Sequence, residues 1–133
     1  YDVTIAYLHH KDKLLRNKLF MEEGWKLVYL DRTISIFVKD IPKYKELREF
    51  KVLRPGGMDI PEDDDTLSML LDEMEYALEI SPEGNNFMRR NLGLIYAFEF
   101  EDMDKARFYL DRYLEYEPKG EFAEEVKEIK KNI

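Results

Sequence analysis

NLGLIYAFEFEDMDKARFYLDRYLEYEP, residues 91–118, is the stretch whose reading decides the fold. Leu92-Gly93, Tyr96, Ala106 and Leu110 fall at spacings that let two antiparallel helices lie close together, and Pro118 marks where the second has ended, because proline cannot continue a helix. Gly93 is the expected point of closest approach, where any side chain would push the rods apart, and Ala106 is the small residue facing it. Leu92, Tyr96 and Leu110 are expected to fill the space beside them.

Reading outward, residues 66–80 carry Leu67, Leu70, Leu71, Met74, Ala77 and Leu78 at three- and four-residue steps, which predicts a helix that Ser81-Pro82 ends. ALEISP at 77–82 parallels YLEYEP at 113–118, and the two prolines stand 36 residues apart. On the other side, residues 120–132 place Phe122, Val126 and Ile129 on one face with Glu and Lys between them, the pattern of a helix that closes a stack and wets its outer surface.

On these residues the C-terminal half, 58–133, resembles the tetratricopeptide repeat, a helix-turn-helix unit that stacks into solenoids. The resemblance departs from the pattern at two points. Arg89 stands where a Trp is usual, with Met88 or Phe87 to supply the bulk, and the turn through Phe100 to Met103 is one residue longer than the common spacing to Ala106. The resemblance implies a protein or peptide partner, taken in the groove lined by the first helix of the pair. Carried over by spacing, the groove positions are Phe87, Arg90, Asn91, Leu94, Ala97 and Phe98. Arg90 and Asn91 suit a carboxylate or peptide backbone, and the apolar positions suit apolar side chains. The alternative is that these phenylalanines are core.

The N-terminal part, 1–57, predicts a small α/β unit followed by a linker helix, so the whole chain is α+β. Residues 2–8 alternate, with Val3, Ile5 and Tyr7 on the side expected to be buried. Asp12 is placed to cap a helix over 13–23 that buries Leu15, Leu19 and Met21, and Gly24 closes it. The runs 25–30 and 34–38, joined by Asp31-Arg32-Thr33, predict an antiparallel hairpin, which the first strand must join. Residues 44–50 have helical spacing through Tyr44 and Leu47. The carboxylates around Asp63 suit a helix start.

This unit also resembles the soluble segment that follows the last membrane helix in multi-pass, lipid-linked-sugar glycosyltransferases of the protein-mannosyltransferase type. The residues that carry it are Tyr1-Asp2-Val3, Leu14-Leu15, Gly24-Trp25, Leu27-Val28-Tyr29, Asp31 and Phe37-Val38. The resemblance implies an extracytoplasmic, non-catalytic appendage lying near a membrane through an upstream segment; without it the expected compartment is cytoplasmic. The start at Tyr1 agrees with a piece of a longer protein.

The totals narrow the classes. A chain of 133 residues and 16.0 kDa can bury roughly two-thirds of its unfolded surface, and 14% aromatics argue against disorder. There is no Cys, which excludes disulfides and thiolate chemistry. Net charge is -8, divided between 12 basic and 8 acidic residues up to Met58 and 9 against 21 beyond it. That balance disfavours nucleic acid as a partner, because phosphate contacts need clustered Lys and Arg.

No catalytic constellation emerges, and the expectation is a protein-interaction module that is not an enzyme and carries no cofactor. His9 and His10 are adjacent without a third metal ligand. Asp59, Asp63 and Asp65 lack the glycine and terminal Glu of a calcium loop. Gly56-Gly57 lacks the Lys-Ser/Thr of a phosphate loop. Ser35, Ser68 and Ser81 have no nucleophile-elbow setting.

Overall fold

The computed structural model describes residues 3–55 and 59–133. The chain is α+β: β1 (Ile5–His9), α1 (Lys13–Met21), β2 (Trp25–Leu30), β3 (Ile34–Lys39) and a single 3-10 turn (Pro42–Tyr44), then α2 (Asp64–Ile80), α3 (Phe87–Phe98), α4 (Met103–Tyr116) and α5 (Ala123–Lys131). Contacts divide it into two compact units, Tyr1–Ile80 and Ser81–Ile133.

In the first unit three strands form an antiparallel sheet in the order β1-β3-β2. The hairpin turn is held by Asp31, whose carboxylate accepts hydrogen bonds from the Thr33 and Ile34 amides (2.8 and 2.9 Å) and from the Tyr29 hydroxyl (2.7 Å). Burial works against the charge on Asp31, but these hydrogen bonds outweigh it and hold the carboxyl below the usual range. Gly24 enters β2 at φ 88°, a left-handed conformation that costs glycine nothing.

The register decides which sheet face is core. Phe37 pairs with Ala6 and Leu27, and Ser35 with Leu8 and Leu30, so Leu8, Leu27, Leu30 and Phe37 share one buried face. Val3, Ile5 and Tyr7, the side expected to be buried, are 61%, 51% and 66% exposed. The expectation failed because Leu8 lies on the side of Thr4 and Ala6, and cross-strand pairing with Phe37 outweighs the count of apolar residues within β1. On α1, Leu19 is buried as expected, whereas Leu15 and Met21 are exposed and Leu14 is 89% exposed.

Two further expectations are corrected. Residues 44–50 are not a helix. Beyond the 3-10 turn the segment is irregular, and Phe50 forms a bridge with Leu27 at the edge of β2. The boundary expected at 57/58 falls instead after Ile80, because α2 is tied to the first unit. Buried Glu73 on α2 accepts hydrogen bonds from the amides of Lys51, Val52 and Leu53 at 3.0, 2.9 and 2.8 Å. Arg48 pairs with Asp72 and stacks on Tyr76, and the Tyr76 ring meets Phe50. The start of α2 is as expected: Asp63 accepts from the Thr66 amide at 2.8 Å, and hydrogen bonds from the Thr66 hydroxyl and then from this amide hold its carboxyl below the usual range.

In the second unit α3 and α4 form the antiparallel hairpin. A methyl group built on Gly93 would stand 2.6 Å from Leu110 Cδ2 and 3.3 Å from the Ala106 carbonyl oxygen, so glycine is what permits the approach. Leu110, Tyr113, Ala123 and Val126 form a buried cluster that joins α4 to α5, with Leu114, Phe122, Ile129 and Ile133 packed around it. The Tyr113 hydroxyl accepts from the Phe122 amide at 3.0 Å and orients the start of α5.

Candidate functional site

The face of α3 that carries the groove positions presents Phe87, Asn91, Leu94 and Phe98 at steps of four, three and four residues, one continuous stripe along the helix. Phe87, Asn91 and Leu94 are partly buried, and Phe98 is 70% exposed. Ala97, expected on this face, is buried and takes no part in it. The packing residues lie as the spacing predicts: Leu92, Gly93, Ala106 and Leu110 are buried and Pro118 follows the end of α4.

Arg90 is engaged within the chain. Its Nη2 donates to Glu125 on α5 at 2.6 Å, its Nη1 to the Asn91 side-chain oxygen at 3.0 Å, and its guanidinium lies 4.4 Å from the Phe122 ring centroid. Arginine's flat, forked cation suits such a combined stack and ion pair. Arg90 therefore clamps α5 to α3, and Asn91 beside it carries the polar edge of the stripe.

Arg89, in the position where a Trp is usual, fills that role by other means. Its Nη1 donates to the Pro82 carbonyl (2.7 Å) and to Asn86 Oδ1 (2.8 Å), and its guanidinium lies 4.1 Å from the Tyr116 ring centroid. Asn86 in turn donates to the Tyr113 carbonyl at 3.1 Å, which also accepts from the Glu117 amide, and to the Glu117 carboxylate at 3.0 Å, so it ties the end of α4 to the start of α3. Met88, expected to supply bulk here, is buried.

The long turn between α3 and α4 has a structure the spacing did not foretell. Glu101 adopts φ 50°, and Asp102 caps α4 by accepting from the Lys105 amide at 3.1 Å. Around it the Tyr96 ring stacks on Tyr109 with 5.6 Å between centroids and meets Phe100, while Phe108 meets Tyr109 edge-on. Lys105 lies over Tyr96 and Arg112 over Phe108. Phe100 and Phe108 are exposed. Tyr96 was legible as a packing residue; its partners 13 and 4 positions away were not, because the turn geometry brings them together.

In the first unit a cleft of about 410 Å³ is lined by Arg48, Glu49, Lys51, Met69, Asp72 and Glu73. Two of its three acidic groups are committed: Asp72 to Arg48, Glu73 to three backbone amides. His9 and His10 are exposed, with ring centroids 4.2 Å apart, and His9 Nδ1 accepts from the Lys11 amide. Among the described residues no group of three His, Cys, Asp or Glu could hold a metal ion. Gly56-Gly57 lies outside the described residues. Among the described residues no helix is long and apolar enough to cross a membrane. Comparison with protein-family models, curated proteins and solved structures finds no match.

Proposed function

We propose that the chain is a non-catalytic protein-interaction module whose α3 stripe recognises an extended or helical peptide segment of a partner. The single observation that carries this reading is Phe98, 70% exposed at the open end of a stripe that continues through Leu94 and Asn91. An aromatic side chain held on a rigid helix is a good anchor, because it buries a large area on binding at little conformational cost. Asn91, whose side-chain oxygen accepts from Arg90, supplies its amide NH2 as a donor for peptide backbone. Arg90, committed to Glu125, positions α5 beside the stripe. The resemblance of residues 58–133 to tetratricopeptide repeats supports the same reading.

Selection from a displayed peptide library tests it. Peptides retained by the protein are expected to lose at least about tenfold in affinity against Phe98→Ser and Leu94→Glu. Peptides that bind both variants as well as the parent would refute use of the stripe. Arg90→Glu is a poor probe, since it sets two carboxylates against each other at Glu125 and loosens α5 itself.

A second reading, that the first unit is the extracytoplasmic appendage of a membrane glycosyltransferase, is supported by α1. Leu14, Leu15 and Met21 are exposed there among Lys11, Lys13 and Lys18, a mixture suited to a membrane interface. An upstream reading frame encoding many membrane helices would support it, and a frame encoding only water-soluble sequence would remove it.

A further inference from the structure

Buried polar groups in the first unit are otherwise well matched. Lys26, though buried, donates its ammonium to the carbonyls of Tyr44 and Leu47 at 2.8 and 3.0 Å. Glu73 receives its three amides. Arg16, midway along α1, is the exception: it is 5% exposed, and among the described residues no acceptor meets its Nε and no carboxylate pairs with it. Asp12, one turn earlier, accepts from the His9 amide instead. A guanidinium stays charged at any pH the protein meets, and a buried charge without a counter-ion is strongly unfavourable.

A second cation lies on the same side of α1. Phe20 follows Arg16 by one helical turn, and the Arg54 guanidinium sits 4.8 Å from the Phe20 ring centroid. Residues four apart on a helix have their Cβ atoms about 6 Å apart, so the Arg54 guanidinium lies against the residue next along the α1 face from Arg16. Arg54 likewise has no carboxylate partner among the described residues. Two like charges brought together repel unless an anion stands between them, and paired guanidinium forks match the oxygens of a tetrahedral dianion. We propose that Arg16 and Arg54 form a site for a phosphate group, whether of a soluble phosphate compound or of a lipid headgroup.

The test is thermal unfolding of the chain in sodium chloride and in inorganic phosphate at matched ionic strength, with Arg16→Met and Arg54→Met beside it. Phosphate is expected to raise the midpoint of the parent with a saturable dependence, and each substitution to weaken apparent affinity at least about tenfold. In chloride, Arg16→Met is expected to unfold no lower than the parent, because methionine keeps the stem and removes the uncompensated charge. A phosphate response that is absent, or unchanged in Arg16→Met, overturns the site. So does a lower midpoint of Arg16→Met in chloride, which would mean that the charge has a partner within the chain. If Arg16→Met does not fold, Arg16→Lys keeps the charge without the fork, and an undiminished response in it overturns the site equally. Sedimentation with phosphatidylglycerol against phosphatidylcholine vesicles separates the sources. Phosphate-competed binding to the former supports a headgroup, and phosphate binding without sedimentation supports a soluble compound.

Discussion

Gly93→Ala sets two opposing effects against each other, and their sizes decide the sign. In an exposed helix interior the change stabilises by about 0.8–1 kcal/mol, because alanine has the higher helix propensity. Here the new methyl meets Leu110 Cδ2 at 2.6 Å and Cγ at 2.7 Å, with the Ala106 carbonyl oxygen at 3.3 Å. Rotating Leu110 about its last bond moves Cδ2 but not Cγ, so the helices or the whole side chain must give by the better part of an ångström. Leu110 is fully buried and has little room to yield. Overpacking of a close-packed core costs about 1–3 kcal/mol, so the net expectation is a loss of about 0–2 kcal/mol, centred near 1. Urea unfolding followed by helical circular dichroism measures it. The decisive comparison is a double-mutant cycle: Leu110→Ala alone should cost about 2–5 kcal/mol, and in that background Gly93→Ala should turn neutral or stabilising. If Gly93→Ala stabilises the parent by its propensity value, the close approach of α3 and α4 at this glycine is wrong.

Glu73→Ala should destabilise the first unit by about 3 kcal/mol or more, since it strands the amides of Lys51, Val52 and Leu53, and Glu73→Gln by less; denaturant titration followed by Trp25 fluorescence separates them. Tyr113→Phe should cost about 1 kcal/mol by removing the acceptor for the Phe122 amide, with faster hydrogen exchange at the start of α5 as its signature. Glu101→Gly should stabilise by up to about 1 kcal/mol, because a side chain at φ 50° is strained and glycine is not. The Asp31 carboxyl is lowered in the folded state, so its contribution is complete above its unfolded pKa and is lost as pH falls through the lower folded value; Asp31→Asn should flatten that acid limb of the stability profile.

What could be read in advance was local. Gly93, Ala106 and Leu110 belong to two adjacent helices, so their periodicity carries their packing, and the short link at Asp31-Arg32-Thr33 leaves the hairpin no other form. What could not be read depends on partners distant in sequence. The helical spacing at 44–50 gave way because Phe50 has Leu27 to bridge. Glu73 interrupts an amphipathic helix and looks wet, yet it is buried by amides some twenty residues earlier. Arg90 has the composition of a ligand-binding residue, and only the path of α5 shows that Glu125 occupies it. The stripe was legible as spacing; the exclusion of Ala97 and the prominence of Phe98 were not.

The way Glu73 holds residues 51–53 bears on how motion is distributed in the first unit. A segment with neither helix nor strand would ordinarily trade its amide protons with water within moments, but these three are sealed against a carboxylate on α2. They should therefore open only when α2 itself lets go, so that an irregular stretch keeps time with a seventeen-residue helix.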